Sequence, residues 1–337
     1  MEVIAVDARK KKKKPFKILC IDGGGIKGLY SAKVLAKFEE VFQCRISDHF
    51  DLICGTSTGG IIALGISLGI PMCQICKFYE EHGPKIFCEQ NKKSKLGRLK
   101  LIYKQTIKKG KYSNTHLRKA LYEVFGDETL SNSKNLLCIP AYNITSARPR
   151  VFKKDYGNYT EDNKLKYVDV ALATSAAPTY FPIKKIGEHY YIDGGVWANN
   201  PTLVGLTEFI INFAPTSSYN RVDVLSIGSI AKPLNELCDK TERSFLDWKD
   251  TLFDTFTVGQ SYNVDFLMQK LQNVFKIPIN YVRVKHNALS VAQLSAIEMD
   301  KADNTALNVL KAVGEDTGIM YKDNPAVKDM FSTNKSI

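Results

Sequence analysis

The stretch that decides the fold of this chain is Phe50-Asp-Leu-Ile-Cys-Gly-Thr-Ser-Thr-Gly59. Its apolar first half is typical of a short buried strand, and the apolar run from Ile61 to Leu68 predicts a helix. The five residues from Gly55 to Gly59 fit the Gly-x-Ser-x-Gly pattern, in which a sharp strand-to-helix turn exposes a serine hydroxyl. The stretch therefore predicts Ser57 as a nucleophile, with an ordinary strand-turn-helix corner as the alternative.

A glycine-rich loop, Asp22-Gly-Gly-Gly-Ile-Lys-Gly28, follows the predicted strand Phe16–Ile21 and precedes a predicted amphipathic helix, Leu29–Phe42. Such a loop exposes backbone N–H groups and the positive end of the helix dipole, and it holds either a phosphate or an oxyanion. The spacing of its glycines also matches the dinucleotide-binding fingerprint. However, the next strand ends in the serine turn and not in an acidic residue that would hold a ribose. An oxyanion loop is favoured, and a phosphate loop remains the alternative. Lys27 either steadies a lipid phosphate or pairs with a neighbouring carboxylate.

A serine nucleophile needs a base. None of the histidines follows a clear strand in a suitable loop, although Asp223 and His286 stand in the order of a catalytic triad. The better candidate is Asp193, which ends the predicted strand Tyr190–Ile192 and is followed by two glycines. A turn aspartate that binds its own backbone is the alternative. The histidines are His49, His82, His116, His189 and His286.

Three segments taken in order, Asp22–Gly28, Gly55–Gly59 and Asp193–Gly195, resemble the three motifs of the patatin-like phospholipases. The resemblance spans Phe16 to Ser229 and includes Ala173–Pro182, which is similar to the stretch that these enzymes place beside the acyl site. It implies a Ser–Asp dyad without histidine, in which Ser57 is the nucleophile and Asp193 the base. It also implies an oxyanion hole formed by the amides of Gly23, Gly24, Gly25 and Ile26. The remaining motif glycines are Gly28, Gly55, Gly59, Gly194 and Gly195.

The resemblance implies a lipid acyl hydrolase of the phospholipase A type, whose chemistry passes through an acyl-enzyme and requires no cofactor or metal. Each donor of an oxyanion hole contributes about 3 kcal/mol to such a reaction. Three alternatives stay open: a constitutive lipase or galactolipase, a nucleotide-binding protein that uses the glycine-rich loop, and a non-catalytic scaffold.

Other segments are similar to the bacterial patatin effectors of anti-phage (CBASS) systems. They are Phe78–Phe87, Asp169–Pro182 and Asp193–Pro201. The resemblance implies activation by a cyclic dinucleotide, such as cyclic GMP-AMP, made by a partner synthase. It further implies a cytoplasmic enzyme that acts peripherally on the inner face of a phospholipid membrane, with a homodimer or larger oligomer on activation. No motif in the sequence marks a nucleotide pocket.

The charge balance favours anionic partners. The 337 residues contain 47 Lys and Arg against 35 Asp and Glu, which gives a formal net charge of +12. Lipid head groups and nucleotides suit such a surface, and no nucleic-acid partner is expected. Two basic stretches contribute, Arg9–Lys14 and Lys92–Lys111. The first is interpreted as a solvated arm, a lipid-attracted arm or a targeting signal, and the second as a lid, a membrane-facing surface or a solvated helix face.

The segment from Gly59 to Cys76 is uncharged but contains Gly65, Gly69 and Pro71, so it predicts a buried helix and a turn instead of a membrane span. The first 15 residues lack the apolar region of a secretory signal. Cys73 and Cys76 lack a second pair with zinc spacing, which disfavours a metal site. The cysteine content fits a reducing cytosol.

Strands that alternate with helices predict an α/β fold, a patatin-like three-layer sandwich with a mostly parallel central sheet and helices on both faces. Residues 1–15 are expected to form a flexible arm and residues 16–337 a single domain. Within it, residues 16–229 carry the motifs and residues 244–337 form a mostly helical part. Predicted strands are Phe16–Ile21, Phe50–Cys54, Leu136–Tyr142, Val151–Lys153, Tyr190–Ile192, Val222–Ile227 and Tyr281–Val284. Predicted helices include Leu29–Phe42, Ile61–Leu68, Cys73–Phe87 and Leu203–Phe213.

Overall fold

An eight-stranded sheet lies at the centre of the described part of the chain. The computed structural model describes residues 14–87, 110–216, 218–233, 241–242, 244–272 and 274–337. The strands are β1 (Lys14–Ile21), β2 (Leu52–Gly55), β3 (Leu136–Asn143), β4 (Arg148–Phe152), β5 (Lys184–Ile186), β6 (His189–Asp193), β7 (Tyr219–Ile227) and β8 (Ile279–Val284).

The described helices follow the same chain order. They are α1 (Gly28–Phe42), α2 (Thr58–Ser67), α3 (Met72–Ile86), α4 (Thr115–Phe125), α5 (Tyr167–Thr174), α6 (Gly195–Ala198), α7 (Thr202–Asn212), α8 (Phe245–Leu271), α9 (Val291–Ala296), α10 (Asn304–Tyr321) and α11 (Pro325–Ser332). A short 3₁₀ turn, Gly25–Lys27, precedes α1.

The sheet is mostly parallel, as predicted. The strand order is β5-β6-β3-β2-β1-β7-β8, and β4 pairs with β3 outside that order. The five strands β3, β2, β1, β7 and β8 are parallel neighbours, whereas β6 pairs antiparallel with β3 and β5 pairs antiparallel with β6. Parallel pairing brings the carboxyl ends of β1 and β2 together, with Ile21 opposite Gly55. The glycine-rich loop and the serine turn therefore leave the sheet side by side.

Helices cover both faces of the sheet, so the three-layer prediction is confirmed. Successive side chains of a strand point to opposite faces. On β1, Leu19 and Ile21 pack in a core with α1, α2, α3 and the C-terminal helices. Ile18 and Cys20 of the same strand pack with α7 and α8 on the other face.

The strongly apolar strands were located to within a few residues, but one strand was missed. The short edge strand β5 has the sequence Lys-Lys-Ile and is only half-buried, so it carries no apolar run that a sequence pattern detects. The uncharged segment Gly59–Cys76 forms α2, a turn and the start of α3. Within the described ranges, no helix is long and apolar enough to cross a membrane. Most of Arg9–Lys14 and of Lys92–Lys111 lies outside the described residues.

Candidate active site

Ser57 occupies the sharp turn between β2 and α2. Its backbone has φ 55° and ψ −123°, a conformation that non-glycine residues rarely adopt and that costs of order 1–3 kcal/mol. The turn is held in place by Thr174, whose Oγ1 accepts a hydrogen bond from the Ser57 N–H at 3.0 Å and donates one to the Pro140 carbonyl at 2.6 Å. Thr174, at the end of α5, therefore stabilises the strained backbone conformation of Ser57.

The glycines that flank Ser57 are required by close packing. A Cβ atom on Gly59 would lie 2.3 Å from the carbonyl oxygen of Ile21, and one on Gly55 would lie 2.1 Å from that of Gly59. Both distances are too short for real atoms, so only glycine allows α2 to approach the two central strands this closely.

Asp193 meets Ser57 from the end of β6. The Ser57 hydroxyl donates a hydrogen bond of 2.6 Å to Asp193 Oδ2, and the Gly195 N–H donates one of 2.7 Å to Asp193 Oδ1. The Asp193 N–H donates to the Ala176 carbonyl at 3.0 Å, which ties the strand end to the segment that follows α5. Asp193 is 1% exposed and Ser57 is 9% exposed. The structure thus brings together two side chains that are 136 residues apart in sequence.

The pKa of the Asp193 carboxyl lies near neutral pH. Burial raises its pKa from the ordinary 3.8 to about 7, although the hydrogen bonds from Ser57 and from the Gly195 amide act in the opposite direction. A base is most effective when its pKa lies near the working pH. The carboxylate is therefore a much stronger base than an exposed aspartate.

The glycine-rich loop offers fewer free amides than predicted. The Gly23 N–H donates to the Asn199 carbonyl at 3.1 Å, and the Ile26 N–H donates to the Met299 carbonyl at 2.8 Å. Within the described ranges, the N–H groups of Gly24 and Gly25 have no acceptor, and both glycines line the cleft beside Ser57. Of the four amides predicted to form the oxyanion hole, two, those of Gly24 and Gly25, therefore remain free to bind an oxyanion in the described part of the chain.

In the described part of the chain, none of the five histidines lines the cleft that contains Ser57 and Asp193. The ring of His49 faces the Thr333 carbonyl, and His82 lies near Glu123. The Nδ1 of His286 contacts the carbonyl of the next residue, while Asp223 accepts hydrogen bonds from Arg221 and Asn280. The Asp223–His286 pair of the alternative triad is therefore not assembled. His116 is the second residue of α4, and His189 is the first residue of β6, at the opposite end of that strand from Asp193.

Two residues that sequence reasoning missed support the loop. The Asn199 Nδ2 donates to Ser261 Oγ of α8 at 3.0 Å and lies 3.5 Å from the Gly23 carbonyl. The buried carboxylate of Asp22 accepts a 2.7 Å hydrogen bond from Arg283 of β8, 261 residues away. Asn199 lies in a segment that carries the family resemblance, but nothing in the sequence links Arg283 to the loop.

Lys27 pairs with a carboxylate, which was one of its two predicted roles. Its Nζ lies 3.1 Å from Asp254 Oδ1 of α8, and its side chain is 4% exposed.

The cleft in front of Ser57 is apolar and nearly filled. Its volume is about 40 Å³, while a cavity of about 150 Å³ holds benzene. Beside Ser57, Asp193 and the loop glycines, its apolar lining includes Ile61, Phe78, Ile86, Phe181, Phe253 and Met299. Such a surface suits an acyl chain, which enters only if some of these side chains move.

Across the described residues, no cluster of His, Cys, Asp and Glu has the arrangement of a metal site. Cys73 and Cys76 are free thiols on α3.

Comparison with known proteins gives consistent matches. Residues 19–206 match a family described as patatin-like phospholipase. A protein named cGAMP-activated phospholipase from Pseudomonas aeruginosa is 34% identical, over 89% of this chain and 86% of that protein. A Vibrio cholerae protein of the same name is 29% identical, over 95% of each chain. Patatin-like protein 2 from Oryza sativa is 29% identical, over 92% of this chain and 85% of that protein.

Proposed function

The chain belongs to the patatin-like phospholipase family, and from this premise we propose that it is a phospholipase A-type acyl hydrolase switched on by a cyclic dinucleotide. The observation that carries the catalytic part is the 2.6 Å hydrogen bond between the Ser57 hydroxyl and the buried Asp193 carboxylate. Proximity to a base with a raised pKa is what a serine hydroxyl needs to become nucleophilic.

In the first half of the reaction, Ser57 Oγ attacks the ester carbonyl carbon while its proton passes to Asp193 Oδ2. The tetrahedral intermediate then collapses, the bond to the alcohol oxygen of the lysolipid breaks, and that oxygen takes the proton from Asp193. In the second half, water attacks the acyl-enzyme and gives a proton to Asp193. Collapse breaks the Ser57 ester bond, returns the proton to the serine oxygen and releases the fatty acid.

The oxyanion that forms in each half needs donors, and we assign this role to the amides of Gly24 and Gly25. Both glycines line the cleft with Ser57, and both N–H groups lack an acceptor among the residues that the structure describes. Each such donor typically lowers the barrier by about 3–4 kcal/mol. Gly23 and Ile26 hold the loop in place through their own hydrogen bonds.

The acyl chain occupies the apolar cleft in this proposal. The small present volume indicates a resting form, in which Phe253 and Met299 fill space that the substrate needs. A resting form of this kind agrees with an enzyme that is inactive until an activator binds.

The activator is proposed from the relatives. Proteins named cGAMP-activated phospholipase from P. aeruginosa and V. cholerae align along 89% and 95% of this chain. The net charge of +12 suits both an anionic nucleotide and an anionic lipid surface. The proposal includes peripheral action at the inner face of a membrane, assembly into a dimer or larger oligomer on activation, and a single domain from residue 16 to residue 337.

The test is fatty-acid release from phospholipid vesicles by purified protein, with and without cyclic GMP-AMP. Wild type is expected to release fatty acid with the nucleotide, and Ser57→Ala is expected to release none. A fluorophosphonate probe should label wild type at Ser57 in the activated state. Equal release by wild type and Ser57→Ala would refute the assignment, while release without nucleotide would leave a constitutive lipase.

A further inference from the structure

A second cavity borders the glycine-rich loop at Asp22, Gly23 and Lys27, whereas Gly24 and Gly25 of the loop line the acyl cleft. It has a volume of about 160 Å³ and its lining is much more polar than that of the cleft, so it is called the polar cavity below. Its lining includes the basic side chains of Lys27, Arg283 and Lys285, with Ser229 and Tyr262. None of the functions predicted from the sequence assigns a role to this cavity.

Each of these three basic side chains is paired with an acidic one, and His286, which also lines the cavity, contacts the Asn287 carbonyl through Nδ1. Arg283 binds Asp22, Lys285 Nζ lies 2.6 Å from Asp265 Oδ2, and Lys27 Nζ lies 3.1 Å from Asp254 Oδ1. The formal charges of these six groups cancel. An incoming anion therefore gains a lysine only by displacing a carboxylate from it.

Two residues of the lining also carry a buried polar atom that has no partner in the ranges that the structure describes. Among the described residues, Ser229 Oγ and Arg283 Nε make no hydrogen bond, and the Arg283 side chain is 10% exposed. Buried donors of this kind are normally satisfied, and an unsatisfied one needs an explanation. Both groups donate hydrogen bonds that a phosphate oxygen accepts.

Helix α8 contributes side chains to both the polar cavity and the acyl cleft. Phe253 faces the cleft, where its ring centroid lies 6.5 Å from that of Tyr180. The next residue, Asp254, faces the polar cavity and pairs with Lys27. Displacement of Asp254 from Lys27 thus acts on the segment of α8 that fills the acyl cleft.

We propose that the polar cavity binds a phosphodiester group of the activating cyclic dinucleotide, and that the phosphodiester replaces Asp254 at Lys27 and so releases Phe253 from the acyl cleft. The inference rests on the proposed function and adds to it the place and the physical route of activation. The cavity is smaller than a whole cyclic dinucleotide, so it receives one phosphodiester. Lys285 and the half-exposed ring of Tyr262 then meet the adjoining parts of the ligand.

The coupling follows from linkage. A ligand that binds only where Asp254 has left its lysine stabilises the form in which Asp254 has left, by its difference in affinity for the two forms. The same difference makes the released form bind the ligand more tightly. Neutralisation of Asp254 should therefore favour both activity and binding.

The first experiment measures binding where no hydrolysis occurs. Cyclic GMP-AMP is titrated calorimetrically into Ser57→Ala, into Ser57→Ala with Lys285→Glu, and into Ser57→Ala with Lys328→Glu. Lys328 is a matched control, since it is similarly exposed and pairs with Asp323 on another part of the surface. We expect Lys285→Glu to weaken binding at least about tenfold and Lys328→Glu to leave it within twofold. Lys285→Gln should weaken binding as well and replaces Lys285→Glu if that variant does not fold.

The second experiment uses Asp254→Asn in the vesicle assay. Fatty-acid release without nucleotide should rise, and the nucleotide concentration for half-maximal release should fall about tenfold. Phosphatidylglycerol vesicles without nucleotide, added to the same Ser57→Ala proteins, distinguish a lipid phosphodiester from the nucleotide.

The outcomes separate the two proposals. Nucleotide binding that Lys285→Glu leaves unchanged, or an Asp254→Asn variant with unchanged basal release and half-maximal concentration, overturns the cavity assignment while activation of wild type still holds. Loss of vesicle binding but not of nucleotide binding in Lys285→Glu overturns it in favour of a lipid head group. If cyclic GMP-AMP neither binds Ser57→Ala nor activates wild type, the nucleotide part of the proposed function fails, and the cavity assignment fails with it.

Discussion

Replacement of Asp193 by asparagine tests whether its buried carboxyl has the pKa that the site requires. The Asn side chain keeps the size of Asp193 and keeps an oxygen for the Gly195 amide, which donates to Oδ1 at 2.7 Å. It cannot take a proton from the Ser57 hydroxyl. The change therefore removes the ionisation and leaves most of the packing in place.

The stability effect follows from the pKa in the two states. The folded pKa of Asp193 is about 7 and the ordinary value is 3.8. Between about pH 4 and pH 7 the folded protein binds one more proton than the unfolded chain, so the free energy of unfolding falls as pH rises through this window. Three pKa units correspond to about 4 kcal/mol, and this loss is complete above pH 7.

Asparagine does not ionise, so Asp193→Asn does not lose this free energy of unfolding as the pH rises. The variant should be more stable than wild type at pH 8, by up to about 4 kcal/mol, and the gap should close as pH falls toward 4. Urea unfolding of both proteins from pH 4 to pH 9 measures the gap. Asp316→Asn, at an exposed position of α10, is the control and should show no such gap. A gap that does not change with pH, or a variant less stable at pH 8, would refute the raised pKa.

The same carboxyl should control the rate. Because the base must be ionised, kcat/KM of activated wild type should rise with pH to a plateau, with a midpoint near 7. Asp193→Asn should lose acyl hydrolysis at every pH. A wild-type profile that stays flat from pH 5 to pH 8, or turnover retained by the variant, would contradict Asp193 as the base.

Two other substitutions test the supports of the site. Thr174→Val removes the hydroxyl that holds the Ser57 amide and the Pro140 carbonyl, so it should cost about 1–3 kcal/mol in urea unfolding and lower kcat. An unchanged kcat would show that the turn at Ser57 keeps its conformation without the Thr174 hydroxyl. Gly25→Ala adds a Cβ atom 2.1 Å from the Met299 carbonyl at a residue with φ 61°, so the loop must shift. We expect kcat/KM to fall at least about 100-fold with the circular dichroism spectrum retained, and near-normal turnover would exclude this loop as the oxyanion hole.

The parts of the fold that sequence reasoning located are those that local patterns determine. The apolar runs of β1 and β7 fill the middle of a parallel sheet, and such strands are hydrophobic on both faces. The serine turn is equally local, because a Cβ atom on Gly55 or Gly59 would clash where α2 leaves β2. The prediction of Asp193 also rests on a local pattern, a strand end followed by two glycines.

The parts that sequence reasoning missed depend on contacts between distant segments. Nothing near Asp22 indicates that Arg283 will neutralise it, and nothing near Lys27 indicates Asp254. Which amides of the loop stay free is also a tertiary question, because Gly23 and Ile26 bind carbonyls of residues 199 and 299. A motif thus identifies the loop, but only the packing around it distinguishes the two amides that remain available.

Asp193 lines the same narrow cleft as Phe253, and burial raises the pKa of Asp193. Phe253→Ala should therefore produce two linked effects. Removing the ring enlarges the apolar cleft, so fatty-acid release without nucleotide should rise. Water admitted beside the dyad reduces the desolvation of Asp193, so the midpoint of the pH profile should fall below 7.

The matched control is Phe256→Ala on the same helix. Its ring is 64% exposed, so its loss should change neither basal release nor the midpoint. Vesicle assays from pH 5 to pH 9 without nucleotide measure both quantities on one preparation. Higher release with an unchanged midpoint would mean that the burial of Asp193 comes from the protein behind the serine turn and not from the cleft. An unchanged release would mean that Phe253 does not close the cleft, because a side chain that blocks the acyl site cannot be removed without effect.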